Sequence, residues 1–245
     1  MSITLIEVSK LKKQYENKVV LNSINFTIQK NEVLGILGLN GAGKTTLLKI
    51  LAGILPPTEG EIYLNGKLVY SSFDSQNNYD FLNYKNIIKI GYLPEFVTLY
   101  PELTVKDFLY FIMTIKNIPK DKQKEEYEYI IRKAHLEGYQ SVFIKHLSQG
   151  YQKRTGIAQT IAGNPDFIIL DEPITGLDPK QIIEIRNLIR ELVKEHTIIL
   201  SSHILSEVAQ TCDRVYILHK NTFVKEVTKE EMPNIEKIFM EATNA

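Results

Sequence analysis

The chain has 245 residues, 44% hydrophobic and 24% charged, with a formal net charge of zero and a single cysteine, Cys212. That length suits one well-buried α/β domain with room for an inserted lobe. The balanced charge excludes the global basic field of a nucleic-acid binder, and one cysteine excludes an intrachain disulfide framework and suits a reducing compartment.

Met1–Lys10 lacks a basic segment followed by an apolar stretch, so no secretory leader is expected. Short strands are predicted over Thr4–Val8, Ile24–Ile28 and Glu32–Leu37. The third runs into Gly38-Leu39-Asn40-Gly41-Ala42-Gly43-Lys44-Thr45, which fits the phosphate-loop pattern G-x-x-x-x-G-K-[ST], and a helix is predicted over Thr45–Leu51. Glycines let such a loop curl until several N–H groups face one anion. The following helix adds the positive end of its dipole. Lys44 supplies a point charge for the β- and γ-phosphates, and Thr45 offers a hydroxyl to Mg²⁺. The plainer reading is a Gly-rich turn, and the strand–loop–helix setting outweighs it.

Pro56, Pro57 and Gly60 close this unit, and a strand resumes over Glu61–Leu64. Ser71–Lys85, rich in Ser, Asn, Asp and Tyr, reads as a polar surface loop. Leu103–Leu147 has helical spacing and many Lys and Glu, and Thr104 with Asp107 resembles a capping box opening a helix from Val105. Its most apolar run, Phe108–Ile115, falls far short of the roughly 18 residues that cross a bilayer, so any membrane role needs another chain to do the spanning. Alternation then returns: strand Phe167–Leu170, helix Gln181–Lys194, strand Thr197–Ser201, helix Ser206–Thr211, strand Val215–Leu218. Such a rhythm predicts a mainly parallel sheet with helices on both faces, and the helical stretch reads as a lobe inserted into it.

The apolar strand Phe167–Leu170 ends in Asp171-Glu172 at the carboxyl edge, where ligands of open α/β sheets bind. Asp171 is expected to hold Mg²⁺ through its waters. Glu172, one residue on and pointing elsewhere, is expected to polarise an attacking water. Alone, such an acidic pair is usually a solvated strand end; the phosphate loop upstream changes the reading.

With Leu147-Ser148-Gln149-Gly150-Tyr151-Gln152 the sequence resembles ABC ATPase nucleotide-binding domains, whose signature is LSGGQ. Further family elements match. Tyr15 sits in the early aromatic position that stacks on adenine, Glu95 of Gly91-Tyr92-Leu93-Pro94-Glu95 in the Q-loop position, Asp178 of Gly176-Leu177-Asp178-Pro179 in the D-loop, and His203 after Ser201-Ser202 in the switch position. The resemblance spans essentially the whole chain. It implies a P-loop NTPase (RecA-like) α/β core with a mainly parallel sheet, an N-terminal antiparallel β subdomain and an inserted α-helical subdomain. Within one domain, 1–245, the core and β subdomain occupy 1–100 and 160–245, and the helical subdomain with the signature occupies 101–159.

The resemblance also implies ATP and Mg²⁺. Nucleotide contacts fall to Tyr15, Gly38, Leu39, Asn40, Gly41, Ala42, Gly43, Lys44, Thr45 and Thr46, with Ser148, Gln149, Gly150 and Asp178; Ser148–Gly150 serve the opposite copy of a head-to-tail dimer. Thr45, Glu95 and Asp171 serve the metal. Catalysis falls to Glu172 as general base and His203 as γ-phosphate linchpin, with Lys44 and Glu95 beside them. A serine hydroxyl and free N–H groups at a helix start also make an anion site on physical grounds, although Ser148 alone would be a plain N-cap. His135, His146, His196 and His219 read as structural. Three residues depart from the family pattern: Glu95 replaces glutamine and adds charge beside the phosphates, Gln149 replaces a signature glycine, and Tyr151 replaces the signature glutamine.

The implied function is ATP hydrolysis powering transport across a membrane. The implied partners are a second ATPase subunit (the same or a related chain) and separate transmembrane permease subunits, with no nucleic acid. The chain would be cytoplasmic, held at the inner face of the membrane through the permease. Tyr92-Leu93-Pro94-Glu95, the signature variant and the short tail after Leu218 resemble export-type subunits. The alternative is a soluble ABC ATPase of an iron–sulfur-type assembly scaffold. DNA-repair members carry long coiled coils and translation-factor members two ATPase domains, and neither fits this chain.

Overall fold

The first two strands are longer than predicted. In the computed structural model, which describes residues 3–72 and 87–244, β1 (Thr4–Tyr15) and β2 (Lys18–Gln29) form an antiparallel pair. Register shifts at Val8/Leu11 and Leu11/Lys13 break the period-two pattern that marks a strand, so the extension past Val8 is hidden from a reading based on alternation. β4 (Glu59–Leu64) and β5 (Lys67–Ser71) complete a four-stranded antiparallel sheet in the order β2-β1-β4-β5. β5 was not predicted, although its signal is plain: Asn65-Gly66, with φ of 49° and 73°, is the two-residue hairpin turn that such dipeptides favour. All but the first two residues of the polar stretch Ser71–Lys85 lie outside the described residues.

The second sheet has the order β10-β9-β3-β8-β7-β6. Its members are β3 (Val33–Leu37), β6 (Ile90–Leu93), β7 (Phe167–Asp171), β8 (Thr197–Ser202), β9 (Arg214–His219) and β10 (Thr222–Val227). All neighbours run parallel except β10 on β9. β3, β7 and β8 are buried along their whole length, as strands covered on both faces must be. Alternate residues feed two cores. Leu34, Ile36, Phe167 and Ile169 face the antiparallel sheet and α1 (Lys44–Leu51). Val33, Leu37, Ile168 and Leu170 face the remaining helices. These are α2 (Val105–Ile115), α3 (Lys120–Lys133), α4 (Gln149–Ile161), α5 (Pro179–Leu192), α6 (Leu205–Thr211) and α7 (Ile235–Thr243). The predicted cap holds: Thr104 Oγ1 accepts from the Asp107 N–H at 3.1 Å and opens α2. His196 is structural as read, its Nδ1 lying 2.7 Å from the Pro165 carbonyl in the interior.

β3, which delivers the phosphate loop, is anchored at its start. The Val33 N–H donates to Asp213 Oδ2 at 3.0 Å, and Arg190 Nη1 of α5 donates to both Asp213 oxygens at 2.9 and 3.0 Å. Burial works against ionisation of Asp213, but the N–H and the guanidinium prevail and hold its carboxyl below the ordinary value of 3.8. A depressed carboxyl contributes stability that is present above its unfolded pKa and lost as pH falls through the folded one. Asp213→Asn is therefore expected to cost about 2 kcal/mol at neutral pH. It should also flatten the loss of stability on acidification below pH 3.8. Urea denaturation of both proteins across that range reads the effect, and parallel acid limbs would contradict it.

Candidate active site

Gly38 leaves the carboxyl edge of β3 between its two neighbours: its N–H donates to the Ser202 carbonyl at 3.2 Å, and a Cβ there would sit 2.6 Å from the Leu218 carbonyl. At Gly43 φ is +109°, and a Cβ would lie 2.8 Å from the Val20 carbonyl, so both backbone conformation and space demand glycine. Gly43 caps α1 with no side-chain bond, which leaves the first N–H groups of that helix facing the loop.

Lys44 is 6% exposed and donates to the Gly38 carbonyl at 2.8 Å and the Leu39 carbonyl at 3.3 Å. Its Nζ also lies 3.2 Å from Glu172 Oε1, which has no hydrogen-bond partner of good geometry. Glu172 Oε2 accepts from Thr175 Oγ1 at 3.0 Å and lies 3.0 Å from His203 Nδ1. Burial pushes the Glu172 carboxyl up, but His203, Lys44 and Thr175 outweigh it and hold it below the ordinary range, so it is charged at neutral pH. Its φ of +48° turns the chain sharply at the end of β7, so that Asp171 and Glu172 point apart. Ser201 Oγ joins the two, accepting from the Glu172 N–H at 3.0 Å and donating to Asp171 Oδ1 at 2.6 Å. Asp171 Oδ2 is buried without a partner.

These groups surround a cleft of about 470 Å³, lined by Lys18, Val20, Asn40, Gly41, Gly43, Lys44, Thr45, Thr46, Glu95, Glu172, Thr175, His203 and Asn221. The fold thus gathers the phosphate loop, Glu95, Glu172 and His203 at one place. Tyr15 pairs in register with Lys18, which lines the cleft, and its ring is half exposed with Lys13 Nζ 5.0 Å from the centroid. Asp171, behind Glu172, has a free buried carboxylate oxygen suited to a hard cation. No cluster of three or more His, Cys, Asp or Glu among the described residues could hold a metal alone. The orphaned Asp171 oxygen fits Mg²⁺, which is habitually held by one or two protein groups plus phosphate and water.

Ser148, Gln149, Gly150 and Asp178 do not line this cleft. Ser148 sits at the N-cap of α4 but its exposed side chain makes no cap bond, leaving hydroxyl and helix start available. A Cβ on Gly176 would meet the Gln149 amide at 2.9 Å, and one on Gly150 would meet the Gln181 side chain at 2.7 Å, so the signature and the D-loop form one surface. Asp178 caps α5 by accepting from the Gln181 N–H at 2.9 Å. The Tyr151 departure has a packing reason: its ring centroid lies 3.7 Å from that of Tyr139, with the Arg154 guanidinium 5.2 Å from its centroid, so it ties α4 to the segment before it.

The sequence reading passed over Lys18, Thr175, Asn221 and Lys153. Asn221 carried a turn signal: it follows β9 at φ +71° and donates to the Val19 carbonyl at 2.9 Å. Lys153, buried on α4, donates to the Glu95 carbonyl at 2.9 Å and the Glu172 carbonyl at 3.3 Å. Nothing local distinguishes it from the surface lysines.

A family model described as ABC transporter matches residues 21–175. An ABC transporter ATP-binding protein of Methanocaldococcus jannaschii is 38% identical over 220 residues, which cover 89% of this chain and 76% of that protein. The bacitracin transport ATP-binding protein of Bacillus licheniformis is 33% identical over 241 residues, covering 97% of this chain and 74% of its own. Among solved structures, cbiO1 of Clostridium perfringens, described as part of the ABC transporter complex cbiONQ, is similar with a TM-score of 0.83 at 27% identity, covering 97% of this chain and 94% of that chain.

Proposed function

Since the chain belongs to the ABC transporter family, as an ATP-hydrolysing subunit that powers transport, we propose that it works as one half of a head-to-tail pair docked on transmembrane permease subunits. The observation that carries the chemistry is Glu172: a buried carboxylate kept charged between Lys44, His203 and Thr175, beside the orphaned oxygen of Asp171.

ATP lies in the cleft with its phosphates on loop 38–46 and the start of α1, and its adenine on Tyr15. Lys44 now divides its ammonium between two carbonyls and Glu172; a γ-phosphate competes for it and releases Glu172 Oε1 to a water. Glu172 orients that water and takes its proton late, as suits a carboxylate of low pKa acting on a loose phosphoryl transition state. His203 holds the far side of Glu172 and reaches the γ-phosphate. Thr45, Asp171 and Glu95 would hold Mg²⁺, which neutralises charge on the β- and γ-oxygens when bound. The exposed Ser148 hydroxyl and the α4 start of one copy close on the γ-phosphate held by the other, with Gln149, Gly150 and Asp178 on the same face.

Phe96 (82% exposed), Tyr100 (50%) and Phe111 (39%) follow Glu95 and supply an apolar surface for the permease, with Tyr100 and Phe111 in edge contact at 5.3 Å. We read 101–159 as the helical lobe that carries part of this surface, and the Tyr92–Glu95 segment as support for export. No helix among the described residues is long and apolar enough to cross a membrane, so the spanning falls to the partner. The chain would then sit on the cytoplasmic face. The assembly-scaffold alternative finds no support among the relatives above.

The test is to tag the chain carrying Glu172→Gln, express it at native level and identify what co-purifies from detergent-solubilised membranes. The expected partner has several transmembrane spans; a purely soluble complex would sink the transporter pairing. Adding Phe96→Asp should cut recovery of that partner by about tenfold or more, the scale of one interface hot spot. Thermal unfolding should be unchanged, because the ring is almost fully exposed. Undiminished recovery would move the docking surface elsewhere.

A further inference from the structure

Helix α4 reaches the catalytic centre through a seam separate from its Ser148 end. Lys153, Gly156 and Thr160 follow one another at three- and four-residue spacing and so share one face. That face lies directly on β6 and the segment leading to Glu95. A Cβ on Gly91 would sit 2.4 Å from the Thr160 carbonyl, and one on Gly156 would sit 2.8 Å from Leu93 and from Val97. Gly91 lets the two backbones touch and Gly156 makes room for the Leu93 and Val97 side chains, so α4 and residues 91–97 are held together by close packing.

Lys153 is the polar member of this seam. It is 7% exposed, and its Nζ bonds to the backbone carbonyls of Glu95 and Glu172. Burial opposes its charge, while the carboxylates of Glu95, Asp171 and Glu172 favour it. Lys44 thus approaches Glu172 at its carboxylate and Lys153 at its carbonyl. The φ of +48° at Glu172 is one that a non-glycine residue keeps only when its surroundings impose it. The buried Lys153 donor on its carbonyl is such a constraint.

We propose that Lys153 is a positioning residue for ATP hydrolysis, tying the backbones of Glu172 and Glu95 to α4 so that the water-orienting carboxylate is set only while α4 is seated on residues 91–97. The inference rests on Glu172 being the group that orients water. It gives the signature helix two ends with two tasks. Ser148 faces the opposite copy, and Lys153, less than two turns away, holds the catalytic glutamate of its own copy, so closure of the pair and alignment of Glu172 become one event.

The test uses the purified full chain. Lys153→Met removes the donors and the charge; Lys153→Gln keeps an amide donor without the charge. Lys153→Met is expected to lower kcat for ATP by about tenfold to a hundredfold, the scale of a small misplacement of a catalytic group. Equilibrium affinity for a fluorescent ATP analogue should stay within about threefold. Lys153→Gln is expected to fall between Lys153→Met and the parent, at about a threefold loss in kcat. A parent-like kcat in Lys153→Met, or a loss of affinity matching the loss of rate, overturns the proposal. Should Lys153→Met fail to fold, Lys153→Gln decides alone: a lowered kcat at unchanged affinity supports the role and an unchanged kcat overturns it. Full turnover in Glu172→Gln would instead remove the water-orienting assignment itself, so the two failures are separable.

Discussion

Glu172→Gln is expected to lower ATP turnover by about a hundredfold to ten-thousandfold, the range for losing a general base, while ATP still binds. Glutamine keeps the volume of the side chain in a site that is only 4% exposed, so packing against Thr175 and His203 is retained. What is lost is the acceptor for the water proton. Also lost is a negative charge 3.2 Å from Lys44 that competes with the γ-phosphate for the same ammonium. Removing that competitor favours the nucleotide-bound form, so ATP-bound pairs should accumulate. Phosphate release reports the first effect, and light scattering with and without ATP reports the second. Full turnover would overthrow Glu172 as the base, and lost turnover without pairing would detach hydrolysis from dimer release.

Lys44→Ala and Ser148→Glu are each expected to lower hydrolysis by about a hundredfold or more when assayed separately, and to restore it when mixed. Lys44→Ala removes the cation facing the γ-phosphate and leaves Glu172 with His203 and Thr175 as its side-chain partners. Ser148→Glu places a carboxylate where a phosphate should approach. Folding should be preserved, because the Ser148 hydroxyl makes no cap bond to lose. A mixed head-to-tail pair has one site built from the intact Lys44 of one chain and the intact Ser148 of the other. With random pairing, an equimolar mixture should reach about a quarter of the parent activity, since about half the pairs are mixed and each has one working site. Activity no greater than that of the separate variants would remove the shared site. The geometry points to recovery, because Ser148, Gln149, Gly150 and Asp178 stand off the cleft formed by their own phosphate loop.

Much of the site was legible because its determinants are local. The spacing Gly38–Thr45 specifies a loop and a helix start that make an anion cradle wherever they occur. The apolar run Phe167–Leu170 specifies a buried strand, and whatever follows it stands at the sheet edge. Thr104 and Asp107 marked a helix start correctly because a cap closes within one turn. Strand lengths were less legible: the shifts near Leu11 hide half of β1, and β5 was missed although Asn65-Gly66 announces it.

By itself the sequence determined which backbone pieces form the Gly-rich loop and its helix start and where the acidic pair stands, since turns, caps and strand ends are set by residues a few positions apart. Only the tertiary structure decided that Glu172 lies between Lys44 and His203, that Lys153 reaches the Glu172 carbonyl, and that Tyr151 turns towards Tyr139. Those contacts depend on β3, β8 and β7 standing side by side with α4 seated on β6. The order of strands in a sheet is settled by how whole elements pack and cross over, and no single strand's pattern carries it.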